Sequence, residues 1–171
     1  MCGIFKGDKM KFYFPENYGA LGDGKNDDSR ALQSAIDEAE KNGGGTVVLE
    51  SGKTYYSSSV IMKKNVELHL QKGSVLKATS DINGYFRPCD FINDETNTLI
   101  GNPVTGKPSF AFIYAYKADN AAITGGGKID ANGHSFVKRK DKYYVTGDFY
   151  PRHPVCLLYT SPSPRDISGS R

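Results

Sequence analysis

Between Asp27 and Asn42 the apolar residues follow a helical period. Leu32, Ala35, Ile36 and Ala39 stand at i, i+3, i+4 and i+7, so they line one stripe of a helix, and Arg30, Asp37, Glu38 and Lys41 lie off it. Asp27 or Asp28 is placed to accept from the free N–H groups of the first turn, where negative charge also suits the helix dipole. Gly43-Gly44-Gly45 ends the element, because glycine enters the left-handed C-cap conformation at little cost.

Beyond those glycines the period shortens to two. Val66, Leu68 and Leu70 alternate with Glu67, His69 and Gln71, which predicts a strand with one buried face. Further strands are expected at Thr46–Leu49, Thr54–Tyr56, Val60–Met62 and Ser74–Lys77. The connections, such as Ser51-Gly52 and Lys72-Gly73, are too short for crossover helices. The inward pair Val47 and Leu49 is followed by Val66 and Leu68 after about 20 residues, the length of one solenoid coil. A solenoid end exposes an open core and bare strand edges, so the leading amphipathic helix is expected to lie over the first coil.

Residues 79–107 read as loops around one rung near Thr98-Leu99-Ile100. Strands resume at Phe110–Tyr116, Ala121–Thr124 and Lys128–Asp130, and 136–150 is aromatic and basic without a clear period. The predicted fold is all-β: a solenoid of short strands closed by an N-terminal capping helix.

Composition adds constraints. A chain of 171 residues is long enough for one domain with a core, and no apolar run approaches the roughly 18 residues that span a bilayer. The net charge of +3 is too mild for a nucleic-acid surface, and no membrane partner is expected. Cys2, Cys89 and Cys156 form neither a spaced framework nor a metal-ligand cluster, so no disulfide scaffold is expected, and no metal and no cofactor are expected either. No secretory signal opens the chain. The location is cytoplasmic if Met1 or Met10 is the true start, and secreted if the natural N-terminus lies upstream.

Two stretches carry a family resemblance. Tyr18-Gly19-Ala20-Leu21-Gly22-Asp23-Gly24-Lys25-Asn26-Asp27-Asp28-Ser29, followed by Gln33 and the triple glycine, resembles the opening of pectate-lyase-like β-helix proteins, most closely glycoside hydrolase family 28. Ile123-Thr124-Gly125-Gly126-Gly127-Lys128-Ile129-Asp130-Ala131-Asn132-Gly133 is similar to that family's I-x-G-x-G-x-I-D-G-x-G, with Ala131 in place of a glycine. Leu68 to Tyr85 also follows the family's wording. Gly19, Gly22, Asp23, Gly24, Asp27, Asp28, Gly125, Gly127, Asp130 and Gly133 are read as structural: the glycines turn the chain, and the acids bind turn amides or cap the helix. The acidic cluster could alternatively hold calcium, but no bidentate Glu follows at EF-hand spacing. The triple glycine at 125–127 precedes a strand, so a corner between rungs is preferred to a phosphate loop.

The resemblance implies a right-handed, single-stranded parallel β-helix and a pectin-degrading hydrolase that inverts at the anomeric carbon, its aspartates about 6.5–9.5 Å apart to admit a water. The family's N-T-D, G-H-G and R-I-K motifs do not occur in this sequence, and its one D-D pair, Asp27-Asp28, belongs to the opening motif. Arg152-His153-Pro154-Val155 resembles the rung that precedes them, so the catalytic residues are expected downstream of Val155 and this chain alone is expected to be inactive. The implied partner is an acidic plant polysaccharide, met by a monomer. Lys138, Arg139, Lys140 and Lys142, near Tyr143 and Tyr144, are candidates for contacting such a chain, against the plainer reading of a solvated charged loop. His69 is expected on a solvated outer face, and neither His134 nor His153 has metal-ligand spacing. Rival readings on the same fold are a calcium-dependent lyase, a phage tailspike and a structural β-helix.

From Cys156 the text changes. Cys156-Leu157-Leu158-Tyr159-Thr160-Ser161-Pro162-Ser163-Pro164-Arg165-Asp166 resembles a translated frame of a transposase-type sequencing adapter. The expected organisation is a lead-in at 1–17, β-helix at 18–155 and a non-native tail at 156–171.

Overall fold

A computed structural model describes residues 11–85, 111–140, 143–146 and 153–158. Helix α1 spans Ser29–Lys41. The strands are β1 (Phe12–Tyr13), β2 (Asp23–Asp27), β3 (Gly45–Leu49), β4 (Thr54–Ser57), β5 (Val60–Met62), β6 (Val66–Leu70), β7 (Val75–Ala78), β8 (Ala111–Tyr116), β9 (Ala122–Gly125), β10 (Lys128–Asp130), β11 (Val137–Lys140), β12 (Tyr143–Thr146) and β13 (His153–Leu158).

Three sheets rise in parallel. Their orders are β1-β3-β6-β9, β2-β4-β7-β10 and β5-β8-β13. The chain therefore visits the three sheets in turn, one coil after another, and the fold is a right-handed parallel β-helix. The expected rung at 98–100 lies outside the described residues.

Inward side chains alternate along β6: Val66, Leu68 and Leu70 are buried, and Glu67 and His69 are not. They join Val47, Leu49, Tyr55, Val60, Met62, Leu76 and Ile113 in one core. The β8 run Ala111–Ala115 is buried on both faces, and its sequence is correspondingly an unbroken apolar stretch rather than an alternation.

The register corrects the expected pairing. Val47 stands beside Leu68 and Leu49 beside Leu70, a step of 21 residues like that of Thr46 and Glu67. Gly45, not Val47, takes Val66. Repeating apolar pairs two residues apart leave a slip of two unresolved in sequence, since both registers keep the same face inward.

The helix occupies the place of a strand of the third sheet in the first coil, between β2 and β3. Leu32, Ala35, Ile36 and Ala39 are completely buried against the coil end. Burying Leu32 and Ile36 contributes roughly 1.5–3 kcal/mol each. Gln33, on the helix flank, also serves the sheet. Its Nε2 donates to the Ile61 carbonyl at 3.0 Å, and its Oε1 accepts from the Ile61 N–H at 3.0 Å. One amide side chain thus gives β5 the pairing that a neighbouring strand would give, and blunts an edge that would otherwise seek another chain. Gln33→Leu should lower stability by about 1–3 kcal/mol and increase self-association. A urea-midpoint shift with rising light scattering would show it, and an unchanged midpoint would count against the edge role.

Residues 137–140 and 143–146 differ from the expected irregular segment. Strands β11 and β12 pair antiparallel, with Arg139 opposite Tyr144 and Lys140 opposite Tyr143, as a hairpin between β10 and β13. The basic and aromatic halves hide the pattern because neither alternates apolar with polar. Strand β13 runs from His153 to Leu158 beside β8, across the expected boundary after Val155. Among the described residues no helix is long and apolar enough to cross a membrane.

Candidate functional site

The acidic opening motif is built around Asp28. This residue is 2% exposed and sits at the N-cap of α1, but its side chain makes no capping bond. It turns back instead: Oδ1 accepts from the Leu21 N–H at 2.7 Å, and Oδ2 from the N–H groups of Gly22 at 3.2 Å and Tyr56 at 3.3 Å. The expected cap role belongs to Asp27, whose Oδ1 accepts from the Ser29 N–H at 2.9 Å and from the Ser29 hydroxyl. The helix accordingly starts at Ser29, and Asp27 ends β2. Asp23 closes its own turn by accepting from the Lys25 and Asn26 amides, each at 2.9 Å. Gly19, Gly22 and Gly24 have φ of 99°, 61° and 70°, in the positive-φ region that favours glycine.

The second motif forms a corner between β9 and β10. Gly125 has φ of 96°, and the Gly126 and Gly127 amides both donate to the Leu70 carbonyl, at 2.9 and 3.1 Å. A Cβ on Gly127 would meet Ser74 Oγ at 2.5 Å, whereas one on Gly133 would meet nothing within 4 Å. Asp130 accepts from the Asn132 N–H at 2.9 Å and the Lys128 ammonium at 3.1 Å.

Polar rows cross the outer faces. On one sheet Glu67 accepts from the Thr46 hydroxyl at 2.8 Å and from the Thr124 hydroxyl, and His69 Nδ1 lies 2.7 Å from Thr124 Oγ1. His69 is therefore half-exposed and hydrogen-bonded rather than simply solvated. On the next sheet Tyr56, Lys77 and Asp130 stand in register, with the Lys77 ammonium 5.8 Å from the Tyr56 ring centre. Near α1, Glu16 accepts from Lys53 at 2.7 Å and from the Tyr55 hydroxyl, and Lys53 also reaches Glu50 at 2.6 Å.

The electrostatics point one way. Asp23 is held below the ordinary carboxylate value first by the Asn26 amide, and Asp130 first by the Asn132 amide. The Thr124 and Thr46 hydroxyls hold Glu67 low. Burial pushes Glu16 up, but Lys53 and Tyr55 outweigh it and the net shift is downward. A general acid needs a raised carboxyl, and none of these four fits that role. They are fixed, ionised acceptors. Among the described residues no group of three or more His, Cys, Asp and Glu side chains could hold a metal ion.

A carboxylate whose folded pKa is depressed adds stability above its unfolded pKa and loses it as pH falls through the folded value. Stability should thus decline below the ordinary values of 3.8 for Asp and 4.5 for Glu. Melting temperatures across that acid range should fall less steeply for Glu67→Gln than for the parent, and parallel slopes would refute the assignment.

The backbone of Lys138, Arg139 and Lys140 lies in β11, and Lys142 lies outside the described residues. The sequence model of the rhamnogalacturonase A/epimerase, pectate-lyase-like family matches residues 16–140. The chain belongs to this family. Membership covers the acidic motif, the glycine corner and β11 together.

Curated relatives share shorter stretches. A capsule KN3-specific depolymerase of Klebsiella phage KN3-1 is 35% identical over 82 residues, 42% of this chain and 10% of its own length. Alginate lyase 7 of Azotobacter vinelandii is 48% identical over 61 residues, 32% of this chain and 7% of the relative. The chain thus spans a tenth or less of these curated relatives. Among solved structures, a family 28 exopolygalacturonase of Yersinia enterocolitica is similar at 26% identity and a TM-score of 0.58, over 78% of this chain and 22% of that one.

Proposed function

We propose that these coils form the N-terminal part of an enzyme that hydrolyses α-linked galacturonate in pectin or rhamnogalacturonan, with inversion, using carboxylates that follow Val155 in the whole protein. The observation that carries the reading is the likeness to the exopolygalacturonase, which extends over 78% of this chain rather than one motif. The ionised, engaged carboxylates of the described coils agree with it, because inverting hydrolysis needs one protonated acid and one base across a water. In this reading the coils build the rigid wall on which later rungs stack. Contact between Lys138, Arg139, Lys140 or Lys142 and the galacturonate chain is part of the same proposal.

A second reading, a lyase or epimerase of uronate polymers, is favoured by the 48% identity to alginate lyase 7 over 61 residues. The products separate the two. The intact source protein should release new reducing ends from polygalacturonate, first as the β-anomer, without ultraviolet-absorbing unsaturated uronate. The 171-residue chain alone should release none. Unsaturated products, or C5 inversion without cleavage, would overturn hydrolysis; turnover by the chain alone would overturn the placement of the carboxylates.

A further inference from the structure

Between the 3-10 turn Pro15–Tyr18 and the first two turns of α1 lies an open groove of about 430 Å³, lined by Tyr18, Gly19, Asp27, Arg30, Ala31 and Ser34. That volume falls within the roughly 300–1,000 Å³ of small-ligand sites. The Gly19 amide donates to the Glu16 carbonyl at 3.1 Å and the Ala20 amide to the Pro15 carbonyl at 3.1 Å, which fixes the turn carrying Tyr18. Arg30 and Ser34 are one helical turn apart on α1 and share a face.

Three features distinguish the groove from ordinary surface. Tyr18 is 36% exposed, one of few large hydrophobic side chains in the described residues left open. Gly19 leaves its side of the groove empty, with nothing within 4 Å of a built Cβ. Arg30 is exposed and makes no ion pair among the described residues, whereas Lys41, Lys53 and Lys63 around the same helix all pair with carboxylates. An aromatic ring, an unpaired guanidinium, a carboxylate and a hydroxyl on one concave surface suit an acidic sugar. The ring would cover the C–H face of a pyranose, the guanidinium would take its carboxylate in a fork, and Asp27 and Ser34 would take hydroxyls.

We propose that this groove is an anchoring site for one carboxylated pyranose of a uronate polysaccharide, at the capped end of the solenoid and separate from the chemistry. The groove follows from its own residues; the choice of a carboxylated sugar rests on the proposed function.

The test titrates the 171-residue chain with trigalacturonate, trimannuronate and uncharged maltotriose, followed by backbone-amide NMR. Trigalacturonate should shift the amides of Tyr18, Gly19, Arg30 and Ser34, and maltotriose should not. Arg30→Gln and Tyr18→Ala should each weaken binding about tenfold, the loss of one charge-assisted or stacking contact. The melting temperature should stay unchanged for Arg30→Gln, whose side chain is exposed. If Tyr18→Ala unfolds, Arg30→Gln decides alone. Absent shifts, shifts confined to residues 137–140, equal binding of maltotriose, or indifference to Arg30→Gln would each overturn the site. Tighter binding of trimannuronate would support the acidic-sugar groove and count against galacturonate as the substrate, so the two proposals fail separately.

Discussion

Gly125→Ala should destabilise the protein by about 4 kcal/mol or more, a large share of a typical domain's roughly 5–15 kcal/mol. Two costs combine. The residue has φ of 96°, where an alanine is strained by about 1–3 kcal/mol. Its Cβ would also lie 2.0 Å from the Leu70 carbonyl oxygen and 2.7 Å from the carbonyl carbon. That obstacle is backbone and cannot rotate aside. Relief requires parting β9 from β6, and the Gly126 and Gly127 amides that share the Leu70 carbonyl would be parted with it. Gly126→Ala is the internal control, because its Cβ approaches nothing nearer than 3.7 Å. Urea denaturation of both variants should show a large loss at 125 and less than about 1 kcal/mol at 126, the ordinary range for a surface change. Equal losses would mean that the corner does not depend on close backbone approach.

That corner shows what sequence exposes and what it conceals. Three glycines before Lys128-Ile129-Asp130 announce a turn, and the missing helix after them argues against a phosphate loop. Nothing in the string says which glycine is crowded. The answer depends on Leu70, 55 positions away and adjacent only because β6 and β9 share a sheet, as His69 and Thr124 show by their 55-residue separation. Local periodicity made α1 and the strands of the second and third coils legible, since alternation and the 3.6-residue stripe are written in neighbouring residues. The step of 21 residues was not, because both candidate registers bury the same face. Gln33 was visible only as part of a family motif. Its role depends on an unpaired edge at Ile61, 28 residues on. The groove beside Tyr18 was equally hidden, for its two walls meet only when the 3-10 turn folds against the helix.

The same logic makes Asp28 the most consequential acid of the opening motif. Sequence places it where helix caps occur, yet its carboxylate joins three segments: the loop at Leu21 and Gly22, the start of α1 and strand β4 at Tyr56. Asp28→Ala should cost about 3–5 kcal/mol, because charge-assisted bonds of roughly 1.5–3 kcal/mol each are lost and buried amides are left without acceptors. Asp28→Asn should lose less, since its carbonyl still accepts while its NH2 confronts donors. Asp23→Ala gives the contrast. Its turn is exposed, so its loss should be much the smaller of the two. Denaturant midpoints rank the three, and a loss at 28 no larger than at 23 would refute the pinning role. The effect should reach the groove as well. Tyr18 and Gly19 lie on the segment Asp28 ties to α1, and Arg30 lies on α1 itself. Loosening that tie separates the aromatic wall from the guanidinium, so Asp28→Asn should weaken acidic-sugar binding even where the protein remains folded, without touching any residue that lines the groove.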